Sequence, residues 1–329
     1  NPITFETLTG NKCLVDTFDR NFQFNVEHVS LAKLADIFLV APASADVIGK
    51  IANGIADDML TTTIMACKCP KLISPAMNTN MFTNPIVQDN LKKLEHYGYE
   101  IIQPDSGYLA CGDTGAGKMP SEQVLLNYIL RTIAKDKDMA GIKLTVTAGP
   151  TREKLDPVRF LSNNSTGKMG YAIAKMAMLR GADVTLISGK VSLEPVPFVK
   201  MVDIVSAEDM YNAVIKSAKD ADIIIKAAAV ADYRPSDVSD EKIKKKDGDM
   251  SISLERTKDI IGTLGSSKRD GLFLCGFSME TEHMLDNSKV KLTKKNLDMI
   301  VANNVKVAGA GFGTDTNVVT LITADDCTE

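Results

Sequence analysis

The chain has 329 residues, of which 44% are hydrophobic and 24% are charged, and its formal net charge is −4. This length predicts about two domains that each bury a core, and the composition is that of an ordinary globular protein. A negative net charge disfavours non-specific nucleic-acid binding, and no apolar run approaches the ~20 residues that span a bilayer.

The six cysteines are too few and too scattered to form a disulfide framework. Cys67 and Cys69 are too close together for a zinc knuckle, and no second pair of cysteines completes such a site. This usage of cysteine is typical of a protein in a reducing compartment, so the sequence predicts a cytoplasmic location.

Short apolar runs alternate with helical patterns along the first part of the chain, which predicts a parallel α/β fold. The run 36–41 is continuously apolar and is followed by Pro42, as expected for a strand buried on both faces. The other strands predicted in this part are 71–74 and 99–102, and the predicted helices are 43–65, 86–97 and 121–134.

A short charged linker over 135–138 precedes a second series of strands and helices, so we predict two domains, 1–138 and 139–329. No internal repeat relates the two halves. The second half contains one clear helix and five strand candidates, which are 167–180 for the helix and 142–148, 183–188, 223–229, 272–277 and 297–302 for the strands.

The segment 110–119 has the sequence ACGDTGAGKM, in which one thiol, that of Cys111, is surrounded by glycines and lies beside a carboxylate. Glycines tolerate positive φ and have no Cβ, so they allow the backbone to close tightly over a ligand. A thiol in such a segment is accessible to a bound molecule, unlike the usual buried cysteine. The simpler interpretation is a surface turn with an incidental cysteine.

Two loops follow predicted strands of the first domain, at the end of the sheet where ligands of such folds bind. The first contains Ser44 and Asp46 before a helix N-terminus, and the second contains Met77 and Asn78. His28 is predicted to open a helix upstream. Each feature alone is equally well explained as an ordinary strand-to-helix turn or a surface histidine.

Taken together and in this order, these segments resemble the flavin-containing cysteine decarboxylases, which have a flavodoxin-like fold. The resemblance covers residues 1–134 and implies binding of FMN, with Ser44, Asp46 and Met77 among the binding residues. It implies that Cys111 protonates the enethiolate formed when CO2 leaves, that His28 positions or deprotonates the substrate, and that Asn78 holds the substrate carboxylate. The unperturbed pKa of a thiol, near 8.5, keeps it mostly protonated at neutral pH.

Members of that family begin with a strand and a turn rich in glycine and serine that holds the flavin phosphate. This chain starts at Asn1 and lacks both. We therefore expect the chain to be truncated at its N-terminus and to bind FMN weakly.

The second half contains several segments suited to phosphate binding. Residues 162–170, SNNSTGKMG, place small hydroxyl residues and glycines before a helix N-terminus, although neither a P-loop nor a G-x-G-x-x-G fingerprint is present. Asp232 lies just after the apolar strand 223–229, where a carboxylate can hold a ribose or a metal. The run 241–246, EKIKKK, could clamp a triphosphate with its lysines, or it could be a solvated loop.

This half resembles the phosphopantothenate–cysteine ligases over its whole length, with a Rossmann-like α/β fold. The order of the halves is that of the bacterial bifunctional family that joins a decarboxylase to such a ligase. The resemblance implies CTP as co-substrate with Mg²⁺, although no metal-binding side chain is identified. The substrates would be 4′-phosphopantothenate and cysteine, joined through an acyl-cytidylate.

The resemblance also assigns residues to the ligase reaction. Asn163 would handle the acyl-cytidylate and Lys242 the triphosphate. The remaining nucleotide contacts are implied at Ala227, Ala228, Asp232, Phe277, Lys291 and Lys295. It further implies a homo-oligomer, with dimers formed through the ligase half and larger assemblies through the flavodoxin-like half.

Two alternatives are considered. Relatives of the flavin decarboxylases include regulatory proteins that act by interaction without decarboxylase activity, but such a protein needs neither a complete ligase half nor Cys111. A nicotinamide-dependent dehydrogenase is the other, and the missing glycine fingerprint disfavours it. Absorbance of the purified protein near the flavin bands would distinguish a flavin-dependent enzyme from such a dehydrogenase.

Overall fold

The computed structural model describes residues 1–17, 27–109, 112–245, 249–280, 284–304 and 316–328. The chain forms two compact units, Asn1–Lys135 and Asp136–Glu329. The boundary at 138/139 stays a prediction. Each unit is described by itself below.

The first unit contains a small parallel sheet with the strand order β1-β2-β3 and a separate antiparallel hairpin of β4 and β5. Its strands are β1 (Phe38–Ala43), β2 (Lys71–Pro75), β3 (Glu100–Ile101), β4 (Asp105–Tyr108) and β5 (Thr114–Lys118). Its helices are α1 (Pro2–Thr9), α2 (Glu27–Leu34), α3 (Ala45–Ala52), α4 (Met59–Ala66), α5 (Thr79–Phe82), α6 (Pro85–His96) and α7 (Glu122–Ile133).

Aliphatic side chains of the sheet and of the helices packed on it form the core of this unit. Ile48 of α3, Ile73 of β2 and Leu94 of α6 are at most 1% exposed and belong to one cluster. Burying such a side chain contributes roughly 1.5–3 kcal/mol. This cluster holds β1 and β2 side by side, so their carboxyl ends open on the same edge.

The prediction of one continuous helix over 43–65 is wrong, because the structure has two helices there. The first, α3, ends at Ala52, and Gly54 then adopts a φ of 71°, which a helix does not allow. The second, α4, begins at Met59 and is capped by Asp58, whose side chain accepts a hydrogen bond of 2.8 Å from the backbone N–H of Thr61. This capping box starts a new helix in a run that hydrophobic periodicity alone reads as continuous.

The second unit contains an eight-stranded sheet in the order β10-β9-β6-β11-β14-β15-β16-β17. Its strands are β6 (Lys143–Ala148), β7 (Arg152–Lys154), β8 (Phe160–Ser162), β9 (Asp183–Ser188), β10 (Lys200–Asp203), β11 (Ile223–Lys226), β12 (Tyr233–Pro235), β13 (Leu254–Arg256), β14 (Phe273–Glu280), β15 (Met299–Asn304), β16 (Val319–Ile322) and β17 (Cys327–Thr328). Its helices are α8 (Lys168–Leu179), α9 (Ala207–Ser217), α10 (Ile260–Ser266) and α11 (Met284–Lys294).

The first six strands of this sheet, from β10 to β15, are parallel, and the last two are antiparallel. The chain runs outward from β6 to β9 and β10, then returns to the other side of β6 with β11. The strand order therefore reverses between β6 and β11, which is the doubly wound arrangement. The predicted fold class, a flavodoxin-like domain followed by a Rossmann-like domain, is confirmed.

Both faces of the larger sheet are covered by helices. Val146 and Leu186 are fully buried in a cluster with α8, and Ile224 and Leu274 are buried in a cluster with α9 and α10. Helix α8 lies unusually close to β6, because a Cβ on Gly170 would stand 2.6 Å from the Cβ of Ala148. Among the described residues, no helix is both long enough and apolar enough to cross a membrane.

Candidate functional site

The carboxyl ends of β1 and β2 bring the two predicted ligand-binding loops of the first unit together. The backbone N–H of Ala76 donates a hydrogen bond of 2.9 Å to the carbonyl of Ala43, which joins the loops directly. Ser44 caps α3 by accepting from the N–H of Val47 at 3.3 Å, and Asp46 lies exposed in the first turn of that helix. These parallel strands place both loops at one edge of the sheet.

The glycine-rich segment forms strand β5 of the hairpin, which lies on the loop that follows β2. The N–H of Met77 donates to the carbonyl of Gly117 at 3.0 Å, and the side-chain amide of Asn78 donates to Asp113 at 2.9 Å. The structure therefore places Met77 and Asn78 against this segment. Cys111 lies outside the described residues.

Only glycine fits at the point of closest approach. Gly117 has a φ of 134°, and a Cβ there would stand 2.1 Å from the carbonyl oxygen of Met77. A side chain at this position would push β5 away from the loop. The absence of a Cβ is what allows this close contact between β5 and the loop.

His28 is the second residue of α2, as predicted, and it is half-buried. Helix α2 packs against α4. The predicted role of His28 in positioning or deprotonating the substrate stays a prediction.

The second unit has its candidate site where the strand order reverses, at the carboxyl ends of β6 and β11. The predicted strand 223–229 ends earlier, at Lys226, since the following backbone leaves β14 and turns toward the end of β6. There the hydroxyl of Thr147 accepts from the N–H of Ala228 at 3.1 Å. The side-chain amide of Asn163 donates to the carbonyl of Ala229 at 3.1 Å.

These contacts place three of the predicted residues together. Ala227 and Ala228 lie on the segment that crosses the place where the strand order reverses, which we call the switch point. Asn163 contacts the same segment from the loop before α8. The hydroxyl of Thr151, which is fully buried, accepts a hydrogen bond of 3.0 Å from the N–H of Ala231, the residue before Asp232. This is the position at which doubly wound sheets bind their ligands.

Three lysines and two carboxylates form a second group in this unit, which we call the lysine cluster. Its members are Lys226, Asp232, Asp259, Lys291 and Lys295. The ammonium group of Lys295 lies 3.0 Å from a carboxylate oxygen of Asp259, and that of Lys291 donates to the hydroxyl of Ser278 at 3.3 Å. Phe277, in β14, is half-buried beside Ser278.

The pKa values of Lys226 and Asp259 in the lysine cluster are both lowered. Burial lowers the pKa of Lys226, and the positive charge of Lys295 lowers it further, although Asp259 and Asp232 oppose this shift. Burial raises the pKa of Asp259, but the N–H of Gly262 and the ammonium of Lys295 outweigh it, so the net pKa is lowered. With three lysines against two carboxylates, the cluster carries a formal excess of positive charge, which favours an anionic ligand.

Sequence reasoning missed Lys226. The signal that could have identified it is a lysine that ends an otherwise apolar strand, after three consecutive isoleucines. Such a lysine is half-buried in the structure and directly precedes Ala227. Lys226 therefore belongs to the lysine cluster and also lies next to the segment where the strand order reverses.

We predict that Lys226→Met stabilises the ligand-free protein at neutral pH. The folded pKa of Lys226 lies below the unfolded value of about 10.4. The unfolded chain therefore binds more protons between the two pKa values, and stability rises with pH across that window. Methionine carries no charge to bury, so a gain of about 1 kcal/mol is expected at pH 7, shrinking toward pH 10.

Urea unfolding at pH 7 and pH 10 measures this difference, with the exposed Lys219→Met as the control for loss of one charge. A Lys226→Met protein less stable than wild type at pH 7 would contradict the prediction.

Lys242 lies apart from the lysine cluster in sequence and is exposed. It stands in the connection between β12 and β13, next to Ile243, whose backbone is bonded to Asp156 and Arg159. In the described part of the chain, no group of three or more His, Cys, Asp or Glu residues could hold a metal ion.

Two family models match the chain and together cover nearly all of it. Residues 1–134 match the family described as Flavoprotein, and residues 139–329 match the DNA/pantothenate metabolism flavoprotein C-terminal domain. The Coenzyme A biosynthesis bifunctional protein CoaBC of Bacillus subtilis (strain 168) is 46% identical over 328 residues, which are 99% of this chain and 80% of that protein. The chain belongs to the family of coenzyme A biosynthesis bifunctional proteins.

Two further comparisons place this bifunctional family member among its relatives. A cysteine/cysteine sulfinic acid decarboxylase from an unknown prokaryotic organism is 43% identical over 326 residues, 98% of this chain and 91% of that one. The crystal structure of the C-terminal domain of a CoaBC protein matches with a TM-score of 0.50 and 44% identity. That match covers 59% of this chain and 87% of the other, as expected for a bifunctional protein compared with one domain.

Proposed function

We propose that the chain carries out two steps of coenzyme A biosynthesis. Its second unit joins cysteine to 4′-phosphopantothenate with CTP, and its first unit decarboxylates the resulting 4′-phosphopantothenoylcysteine to 4′-phosphopantetheine. The observation that carries the proposal is the 46% identity to a bifunctional relative across 99% of this chain, because both catalytic halves are then present in one order.

The residues of the first unit fit FMN, since the loops after β1 and β2 meet at the carboxyl edge of the sheet and the hairpin packs on the second loop at Gly117. Ser44, Asp46 and Met77 are the residues that would hold it. When bound, FMN supplies transient oxidation of the thiol-bearing carbon, which makes loss of CO2 easier. The chain itself binds the substrate carboxylate through Asn78, excludes water with the hairpin and donates a proton from Cys111. His28 positions or deprotonates the substrate.

The second unit acts on two phosphate-bearing substrates. A carboxylate oxygen of 4′-phosphopantothenate attacks the α-phosphorus of CTP, and the bond to pyrophosphate breaks. The cysteine nitrogen then attacks the acyl carbon of the acyl-cytidylate, and CMP leaves. Lys242, Lys291 and Lys295 offset the triphosphate charge together with Mg²⁺.

The remaining ligase residues hold the rest of the nucleotide and the intermediate. Ala227 and Ala228 contact the nucleotide, Asp232 binds its ribose, and Phe277 packs against it. Asn163 holds the acyl-cytidylate at the switch point. These assignments are supported by the convergence of Asn163 with the segment that carries the two alanines.

Product analysis tests the two activities together. The full chain is incubated with 4′-phosphopantothenate, cysteine, FMN, Mg²⁺ and either CTP or ATP, and 4′-phosphopantetheine is measured by mass spectrometry. We expect the product with CTP. Turnover of free cysteine alone would instead favour the activity named for the cysteine decarboxylase relative, and formation of 4′-phosphopantothenoylcysteine without CO2 would favour a non-catalytic flavodoxin-like unit.

We predict that Cys111→Ser releases CO2 but accumulates an oxidised enethiol product. Serine is a far weaker acid than a thiol, whose unperturbed pKa is near 8.5, so the proton is not delivered in time. Quantifying CO2 and the enethiol in parallel checks this. Formation of 4′-phosphopantetheine at the wild-type rate would rule out Cys111 as the proton donor.

We further propose a cytoplasmic homo-oligomer, with dimers formed through the second unit and larger assemblies through the first. Membership of this bacterial biosynthetic family supports both parts of the proposal. Analytical ultracentrifugation of the full chain, compared with residues 136–329 alone, would separate the two contributions.

A further inference from the structure

A buried carboxylate lies in the connection between β7 and β8, outside the residues assigned above. Asp156 is 2% exposed. Its Oδ1 atom accepts hydrogen bonds from the backbone N–H groups of Val158 and Arg159, each at 2.8 Å. These two bonds close a local turn, and such a turn is a common use of aspartate.

The second oxygen of Asp156 does something that a local turn does not require. Its Oδ2 atom accepts from the backbone N–H of Ile243 at 3.2 Å, across 87 positions of sequence. Arg159 donates from Nη2 to the carbonyl of the same Ile243 at 2.8 Å. The main chain at Ile243 is therefore held on both sides, by an acceptor at its N–H and by a donor at its carbonyl.

A third contact fixes the start of the same segment. The N–H of Ser239 donates to the carbonyl of Leu155 at 3.0 Å, and the hydroxyl of Ser239 donates to the carbonyl of Glu241 at 2.6 Å. The segment 239–243 is thus bonded at two places to the residues 155–159. It is an anchored segment, although it lies within the long connection between β12 and β13.

Asp156 is charged at neutral pH despite its burial. Burial raises the pKa of its carboxyl group, but the N–H groups of Val158, Arg159 and Ile243 and the nearby guanidinium of Arg159 outweigh this and lower it. Hydrogen bonds to a charged acceptor are stronger than those between neutral groups. The anchor at Ile243 is therefore a strong one.

The anchored residue stands between two exposed lysines, Lys242 and Lys244. A run of exposed lysines has a large conformational entropy, and fixing it on a polyphosphate costs free energy at the moment of binding. An anchor in the middle of the run removes part of that cost beforehand.

We propose that Asp156 is a positioning residue that holds the lysine segment 242–245 ready for the triphosphate of the nucleotide. It acts through the backbone of Ile243 and touches no substrate itself. This inference rests on the proposed role of Lys242 in the ligase reaction.

Asp156→Asn separates the anchor from the local turn. The amide oxygen of asparagine can replace Oδ1 and keep the bonds to Val158 and Arg159. Its NH2 group then faces the N–H of Ile243, where two donors oppose each other. The bond to the N–H of Ile243 is lost while the turn remains, so the variant is expected to fold.

Two measurements on the full chain test the proposal. Hydrogen exchange of the peptide that contains Ile243 is expected to accelerate in Asp156→Asn by at least about tenfold. Pyrophosphate release from CTP and 4′-phosphopantothenate in a single turnover is expected to slow by about tenfold. The reaction of cysteine with preformed acyl-cytidylate is expected to keep its rate, which a general loss of structure would not allow.

Asp240→Asn is the matched control, because it removes the same charge from an exposed position in the same segment. Unchanged exchange at Ile243 in Asp156→Asn would overturn the anchor. Faster exchange with pyrophosphate release equal to that of Asp240→Asn would overturn the positioning role. If the proposed function itself is wrong, the wild-type protein will release no pyrophosphate from CTP.

Discussion

Lys242→Gln is expected to slow pyrophosphate release from CTP by a factor on the order of 10²–10³, the usual effect of removing one group that stabilises developing charge. The lysine offsets negative charge on the triphosphate as pyrophosphate leaves, and glutamine cannot. Its backbone neighbour Ile243 is anchored at both its N–H and its carbonyl. The charge is therefore presented from a fixed segment, and the reduction should appear in the first half-reaction.

Asn163→Asp is expected to affect the other half-reaction. The amide of Asn163 donates to the carbonyl of Ala229. A carboxylate there repels that carbonyl and cannot donate, so the residue no longer holds the acyl-cytidylate for attack by cysteine. Pyrophosphate should still be released once per site, and the acyl-cytidylate should accumulate.

A single-turnover assay with labelled CTP and no cysteine compares the two variants. Lys219→Gln, an exposed lysine outside the segment 242–245, is the control for loss of one positive charge. Equal loss of pyrophosphate release in Lys242→Gln and Asn163→Asp would contradict this division of labour.

Gly117→Ala is expected to reduce CO2 release by at least about 100-fold, because small displacements of positioning groups have effects of that size. The new Cβ would stand 2.1 Å from the carbonyl oxygen of Met77, and alanine disfavours a φ of 134°. Strand β5 must move away from the loop that carries Asn78. The hairpin would then no longer cover the substrate.

Gly107→Ala is the matched control in the same hairpin, because a Cβ there meets only the side chain of Lys118 at 3.7 Å. Pyrophosphate release from CTP reports on the second unit and should be unaffected in both variants. Normal CO2 release by Gly117→Ala would show that close contact between β5 and Met77 is not needed for decarboxylation.

Much of the architecture was predictable from local sequence signals. Continuous apolar runs identified the central parallel strands, and glycine, proline and capping residues marked most helix ends. The loops after β1 and β2 were predicted as binding sites because ligands of such folds lie at the carboxyl ends of parallel strands. The capping box at Asp58 and the kink at Gly54 were present in the sequence too, but the hydrophobic periodicity of 43–65 concealed them.

The sequence by itself determined the alternating α/β pattern, the strand-end loops and the residue types available for chemistry, because periodicity and capping act over a few residues. Only the tertiary structure decided which distant residues meet. The strand order places β11 beside β6, and so brings Lys226 next to the switch point and into the lysine cluster with Lys291 and Lys295. It likewise joins Asp156 to Ile243. Such contacts depend on sheet order and on burial, which no local pattern of residues records.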